Sequence, residues 1–286
     1  MKILLHACCG PCSLEPTRLL AQQNAQFTVF YSNSNIHPQE EYTKRWETLQ
    51  TYAQSQGFAV VEDTYNAQEW EESAGRVGQK LEELRHTAGI DQELVKAPNP
   101  YPLPAFVERG EEVEAAREEA AQLRAARCRA CYRLRFEHAA AYAKENGFDA
   151  LSTTLSVSPF QYTATIQEEL ERAAGAAGLT SAFVDYRPYF QAAEDKSRAL
   201  GMYRQNYCGC HFSLDEANLE RAIRKEARKA ARRARKAARA AQAAAQTAAQ
   251  QAEQAHERAA QAAQTAQAAQ QAAQAPSQTT PTPATP

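Results

Sequence analysis

The stretch Lys2-Ile3-Leu4-Leu5-His6-Ala7-Cys8-Cys9-Gly10-Pro11-Cys12-Ser13 constrains the fold more than any other. An apolar run that stops at Gly-Pro reads as a buried strand ending in a tight turn. A helix pattern follows from Leu14, with Ser13 as its N-cap. Cys8, Cys9 and Cys12 therefore fall at a strand's carboxyl end, beside a helix N-terminus. In open α/β sheets ligands bind along that edge. The positive end of the helix dipole also favours thiolate, the form that ligates metal or attacks disulfides.

The same alternation continues down the chain. After a first helix over residues 14–23, residues 26–33 are rich in β-branched and aromatic side chains and read as a second strand. A helix opened by Pro38 and closed by Gly57 leads to a third strand over 58–64. Residues 148–157 hold a fourth strand and 181–186 a fifth, separated by a helix that starts at Ser158-Pro159 and runs to about Ala177. Five strands with helices between them predict an α/β protein with a doubly wound parallel sheet flanked by helices.

Between the third and fourth strands the composition changes. Residues 66–89 look helical and charged, 96–104 form a Pro-rich loop, and 108–127 make a charged, Ala-rich helix. The whole span 66–127 reads as a solvated helical insertion. A further helix over 127–146 carries the second cysteine pair. The expected domain is residues 1–215, followed by a basic Ala-rich helix over 216–240. Residues 241–286 are Ala/Gln/Pro/Thr low complexity without large apolar side chains, a disordered tail. Residues 221–286 carry 11 Lys+Arg against 3 Asp+Glu, a net +8; residues 1–220, with 21 against 31, carry −10. An acidic body is thus joined to a basic arm.

The seven cysteines fall in three clusters: Cys8/Cys9/Cys12, Cys128/Cys131 and Cys208/Cys210. No secretory signal is recognisable, and no run approaches the roughly 18 apolar residues of a membrane span. A cytoplasmic location is expected, where clustered cysteines serve metal or redox chemistry. Cys128-x-x-Cys131 supplies two metal ligands, and Cys8-Cys9 can supply two more. Adjacent side chains diverge along an extended backbone, which suits two irons of a cubane better than one zinc. A structural zinc site stays open on residues alone. Cys208-Gly209-Cys210 can close a small, strained, easily reduced disulfide. Two further ligands or two idle thiols fit that spacing as well.

Arg127, Arg129, Arg133 and Arg135 flank the second pair, as phosphate contacts or as compensation for thiolates. Tyr132, Tyr207 and Phe160 could stack a base, although isolated aromatics are more often core. His6 reads as a strand residue satisfied by the backbone. His37 and His211 lie at loop edges, where one of them could donate protons. Asp195 and Lys196 read as ordinary helix-face residues.

The motifs HACCGPCS, RCRACYRLR, STTLSVSPFQ and YRQNYCGC, in this order across residues 1–212, resemble the QueH family of epoxyqueuosine reductases. The resemblance implies an oxidoreductase that reduces the epoxide of epoxyqueuosine, at the anticodon wobble position of tRNA, to queuosine. It implies a Rossmann-like sheet similar to nucleotide-hydrolase and PP-loop enzymes. By motif, Cys8, Cys9, Cys128 and Cys131 would hold a [4Fe–4S] cluster, and Cys208 and Cys210 would form a redox-active disulfide. Cys12 falls where some relatives carry Asp, a candidate ligand for an additional iron. An external electron donor, unidentified, is implied as well. No nicotinamide, flavin or ATPase phosphate-loop fingerprint competes with this. The alternatives are a PP-loop-like tRNA thiolase, whose Ser-Gly-Gly-x-Asp-Ser loop is missing, and a zinc-stabilised RNA-binding module.

Overall fold

The computed structural model describes residues 1–93, 98 and 110–273. At its centre is β1 (Lys2–His6), whose Leu4 and Leu5 are fully buried. Burying one such side chain contributes roughly 1.5–3 kcal/mol, so this short strand is firmly held. Alternation sorts its residues between two layers. Ile3 and Leu5 pack with Val29 and Tyr31 of β2 (Gln26–Tyr31). Leu4 packs on the other face with Phe30, Phe136 and Leu151.

The sheet has the order β3-β2-β1-β4-β5, with β3 at Val60–Glu62, β4 at Ala150–Thr153 and β5 at Thr180–Ser181. Every pairing is parallel. This is the expected Rossmann-like α/β architecture. The winding reverses between β1 and β4, and the carboxyl ends of those two strands mark the crevice where such sheets bind ligands. One layer holds α1 (Gly10–Gln22) and α2 (Gln39–Gln56), with α7 (Phe190–Ala199) against α1. The other holds α5 (Glu111–Glu145) and α6 (Thr163–Ala177).

Several local expectations are corrected. Helix α1 begins at Gly10 rather than Leu14, because Pro11 is tolerated in a first turn that needs no N–H there. The two helices expected over 108–127 and 127–146 are one continuous 35-residue helix, α5. Its Ala, Glu, Arg and Leu content gives the backbone no reason to stop at Cys128. Ser158-Pro159 opens no helix; a 3-10 turn at Leu155–Val157 precedes it and α6 starts at Thr163. The span after β3 is not merely solvated. Trp70, at the end of α3 (Ala67–Trp70), is fully buried, and Leu81 of α4 (Arg76–Thr87) makes a small core with Ile90 and Ala120. The Pro-rich loop, apart from Pro98, lies outside the described residues.

The chain divides into two compact units, Met1–Arg224 and the residues from Lys225 onward. Helix α8 spans His211–Ala273. Residues 241–273, expected to be disordered, are therefore helical; Ala and Gln are good helix formers and need no packing partner. The segment expected to end the chain in disorder, 276–286, lies outside the described residues. Among the described residues no helix is long and apolar enough to cross a membrane.

Candidate functional site

Beyond His6 the chain turns through Ala7 and Cys8 into α1, whose N-cap is Cys9. The Cys8 N–H donates to Thr154 Oγ1 at 3.4 Å, just past β4. The thiols of Cys8, Cys9 and Cys12 lie within 4.8 Å of one another, and the Cys8 and Cys9 sulfurs are 3.7 Å apart. The two adjacent side chains converge even though the Cys9 backbone is extended. The chain winds into the helix after Cys9, and Cys12, three residues on, returns to the same side. Such a triad could hold a metal ion. Hydrogen bonds from Cys12 and Cys9, helped by the Arg135 charge, hold the Cys8 thiol well below its ordinary pKa. Gln205 Nε2 donates to Cys9 Sγ at 2.9 Å.

Cys128 and Cys131 stand three residues apart on α5, hence on one face of it. Cys131 is buried with Trp70, Ala74, Cys210 and Phe212. Cys128 packs against the cluster that also receives Cys8. Burial pushes the Cys131 thiol up to about 11 and raises Cys128 too. Arg135, one turn beyond Cys131, is buried and bonds Ser32 O (3.2 Å) and the Asn33 side chain. Its charge opposes thiol protonation at both Cys8 and Cys131.

The third cysteine pair lies in the loop between α7 and α8, and both thiols are free. Arg45, itself buried and paired with Glu41 at 2.7 Å, donates to Cys208 O (2.8 Å) and Tyr207 O (3.3 Å). The His37 N–H donates to Gly209 O (2.9 Å), and the Gly209 N–H to Ser213 Oγ (3.2 Å). Gly209 has φ +148°, and a Cβ there would meet Asn35 Nδ2 at 2.8 Å and Ile36 Cγ1 at 3.0 Å. Glycine is required by both conformation and space. Burial pushes the Cys210 thiol up to about 12.

Cys128, Cys131, Cys208 and Cys210 line one small pocket, with Asn35, Trp70, Arg124, Arg127, Tyr132, Phe160, Gln161 and Ser213. Gln161 Nε2 donates to Cys208 Sγ at 3.4 Å, and its Oε1 accepts from Tyr132 OH at 2.6 Å. Two lining side chains keep buried polar atoms without a hydrogen-bond partner, Arg127 (Nε and Nη1) and Asn35 (Oδ1), while the Trp70 side chain hydrogen-bonds Cys131. An unmade buried hydrogen bond costs about 1–3 kcal/mol. A pocket that leaves guanidinium N–H groups free beside four sulfurs suits an occupant rich in acceptors, such as thiolate or sulfide.

The arginines expected to contact phosphate are already committed. Arg124 and Arg127 share Glu216 (2.9 and 2.8 Å). Arg129, Arg133 and Arg172 surround the buried Glu169; burial works against its ionisation, but their bonds hold it down at about 2. Tyr132 is fully buried, Tyr207 donates to His37 O and lies 5.1 Å from the Arg45 guanidinium, and only Phe160 is partly exposed at the pocket. His6 bonds Thr153 Oγ1 (3.0 Å) and Ser32 O (3.2 Å), and burial lowers it to about 3, as its structural reading requires. His37 and His211 both approach Glu71, at 3.7 and 2.9 Å. Asp195 pairs with Arg198 at 2.8 Å on the surface of α7. Asn35, Arg45, Trp70, Arg124 and Glu216 were not legible as site residues. The Glu41/Arg45 spacing of four and a lone tryptophan in a charged stretch were the available signals.

A family model described as epoxyqueuosine reductase QueH matches residues 3–97 and 79–216. The chain is 28% identical over 231 residues to epoxyqueuosine reductase QueH of Staphylococcus aureus, covering 79% of this chain and 82% of that protein. It is 29% identical over 221 residues to the protein of that name from Histophilus somni, covering 76% and 74%. The one from Thermotoga maritima is 29% identical over 224 residues, covering 77% and 94%.

Proposed function

As a member of the QueH family of epoxyqueuosine reductases, the chain is an oxidoreductase, and we propose that it reduces epoxyqueuosine in tRNA to queuosine. The observation that carries this reading is the pocket where Cys128 and Cys131 meet Cys208 and Cys210, with unpartnered N–H donors around them. In this reading residues 1–215 carry the chemistry and act in the cytoplasm. Cys8, Cys9, Cys128 and Cys131 hold a [4Fe–4S] cluster, and Cys208 and Cys210 are the redox-active pair. The fit is supported by the Cys8 thiolate, by Arg135 acting on both Cys8 and Cys131, by the Trp70 hydrogen bond to Cys131, and by the free donors of Arg127. When bound, such a cluster supplies single electrons.

Turning an epoxide into an alkene removes one oxygen atom and consumes two electrons and two protons. The thiols of Cys208 and Cys210 together hold that complement. As they join into a disulfide, both carbon–oxygen bonds of the epoxide break, the alkene forms and the oxygen leaves as water. The chain's own residues prepare this step. Arg45 and the His37 N–H fix the Cys208-Gly209-Cys210 backbone, and Gln161 orients the Cys208 sulfur. Trp70, Tyr132 and Phe212 exclude water around the thiols.

The triad supports a second reading. A sulfur spacing of 3.7 Å suits two thiolates on a single tetrahedral ion with bonds of about 2.3 Å. Cys8, Cys9 and Cys12 would then hold one metal ion, an additional iron or a zinc. The test of the proposed function is anaerobic incubation of iron- and sulfide-reconstituted protein with tRNA containing epoxyqueuosine, plus a chemical reductant. Nucleoside mass spectrometry is expected to show queuosine formed at the expense of epoxyqueuosine. Unchanged epoxyqueuosine, with the cluster present, contradicts it.

A further inference from the structure

Residues 225–239 of α8 contain eight Lys and Arg side chains and one acid, Glu226, which pairs with Lys229 at 2.7 Å. At about 100° per residue, Lys225, Arg228, Lys229, Arg232, Arg233, Arg235, Lys236 and Arg239 all fall within one arc of about 160°. The opposite arc is alanine: residues 227, 230, 231, 234, 237 and 238. Every residue from 225 to 239 is exposed. Where all azimuths of a helix face solvent, solvation alone does not sort charge to one side. The ridge is about 21 Å long at about 1.5 Å per residue. It also stops abruptly. Between residues 240 and 273 the same Ala-rich helix carries Gln instead, with Arg258 as its single Lys or Arg.

We propose that this one-sided cationic ridge docks the phosphate backbone of the tRNA substrate. The proposal rests on tRNA being the substrate and adds where its electrostatic attraction comes from. Residues 1–220 carry a net −10, which repels a polyanion, and the charges of Arg124, Arg127, Arg129 and Arg133 beside the cysteines are paired by Glu216 and Glu169. A partner with regularly spaced negative charge along a rod matches a row of cations every three or four residues. A membrane surface is a poorer match, since the face opposite the charges offers only methyl groups where an interfacial helix buries Leu, Phe or Trp. The contact is sequence-independent, so it strengthens and steers binding while the cysteine pocket selects the nucleotide.

The experiment compares the full chain with the quadruple variant Arg228→Gln, Arg232→Gln, Arg235→Gln and Arg239→Gln. Glutamine keeps the helix, which circular dichroism checks. Binding of an unmodified tRNA transcript is titrated by fluorescence anisotropy over a range of salt concentrations. If the four arginines each neutralise a phosphate, the variant's log–log salt slope is shallower by about 3. Its affinity at the lowest salt falls by at least about tenfold. Equal slopes and affinities overturn the ridge while leaving the substrate reading intact. Failure of the unaltered chain to bind any tRNA overturns both. Binding to anionic phosphatidylglycerol vesicles in preference to tRNA assigns the ridge to a membrane and overturns it.

Discussion

Gly209→Ala tests how tightly the Cys208-Gly209-Cys210 loop is fixed. The new methyl carbon meets Asn35 Nδ2 at 2.8 Å and Ile36 Cγ1 at 3.0 Å, both buried side chains with little room to retreat. Overpacking of this kind costs about 1–3 kcal/mol. The backbone adds to it: φ +148° is hostile to a residue with a Cβ, and such strain costs about 1–3 kcal/mol. The expected destabilisation is therefore about 2–6 kcal/mol, unless the loop shifts and gives up the Arg45–Cys208 and His37–Gly209 hydrogen bonds. Gly57→Ala is the control. It has φ +74° with nothing within 4 Å of the new carbon, so only backbone strain acts, about 1–2 kcal/mol. The assay is urea unfolding followed by tryptophan fluorescence, with the rate of Cys208 alkylation measured in parallel. The Gly209 variant should unfold at lower urea than the control and alkylate faster. Equal midpoints and an unchanged alkylation rate would refute the tight-loop argument.

Cys208→Ser should retain iron and sulfide after anaerobic reconstitution while losing epoxyqueuosine conversion; loss of the cluster would make Cys208 a ligand instead. His138 sits between Asp63 (2.9 Å) and Glu69 (3.0 Å), and the Asp63 bond first of all raises it to about 9. Because the folded value lies above the ordinary one near 6.5, this stabilisation is complete below about pH 6.5 and is lost as pH rises through about 9. Screening at a partly exposed site leaves about 1–2 kcal/mol, so denaturant midpoints should fall between about pH 6 and about pH 9.5. His138→Gln should abolish most of that difference; an unchanged pH dependence would count against it. Glu169→Gln removes the carboxylate shared by Arg129, Arg133 and Arg172 and should cost about 2–3 kcal/mol, read as a lower midpoint at neutral pH.

The order of the sheet was readable because its first strands carry their own period and stop signal, whereas the fifth, expected over 181–186, is only Thr180–Ser181. Leu4 and Leu5 run into Gly10-Pro11, and the β2 aromatics end at Ser32-Asn33. Helix boundaries were less so. No start or stop signal marks Cys128, so a helix expected to begin there is instead the continuation of α5, which also packs on α6 and β1. The cysteines were legible as a group, but their grouping in space was not. The return of Cys12 to the Cys8 and Cys9 sulfurs depends on where α1 starts, and Pro11 in its first turn allows a start three residues before Ser13. Asn35, Arg45 and Trp70 owe their roles to long-range contacts with residues 207–212, which no periodicity encodes.

The most direct test of the proposed shared inorganic centre is anaerobic iron and labile-sulfide analysis of the reconstituted chain beside Cys8→Ser and Cys128→Ser. About four iron and about four sulfide per chain are expected for the parent, as a [4Fe–4S] cluster requires, and loss of both in either variant. One zinc without sulfide in the parent, or a full cluster in Cys128→Ser, would contradict the convergence of the two cysteine pairs on one centre.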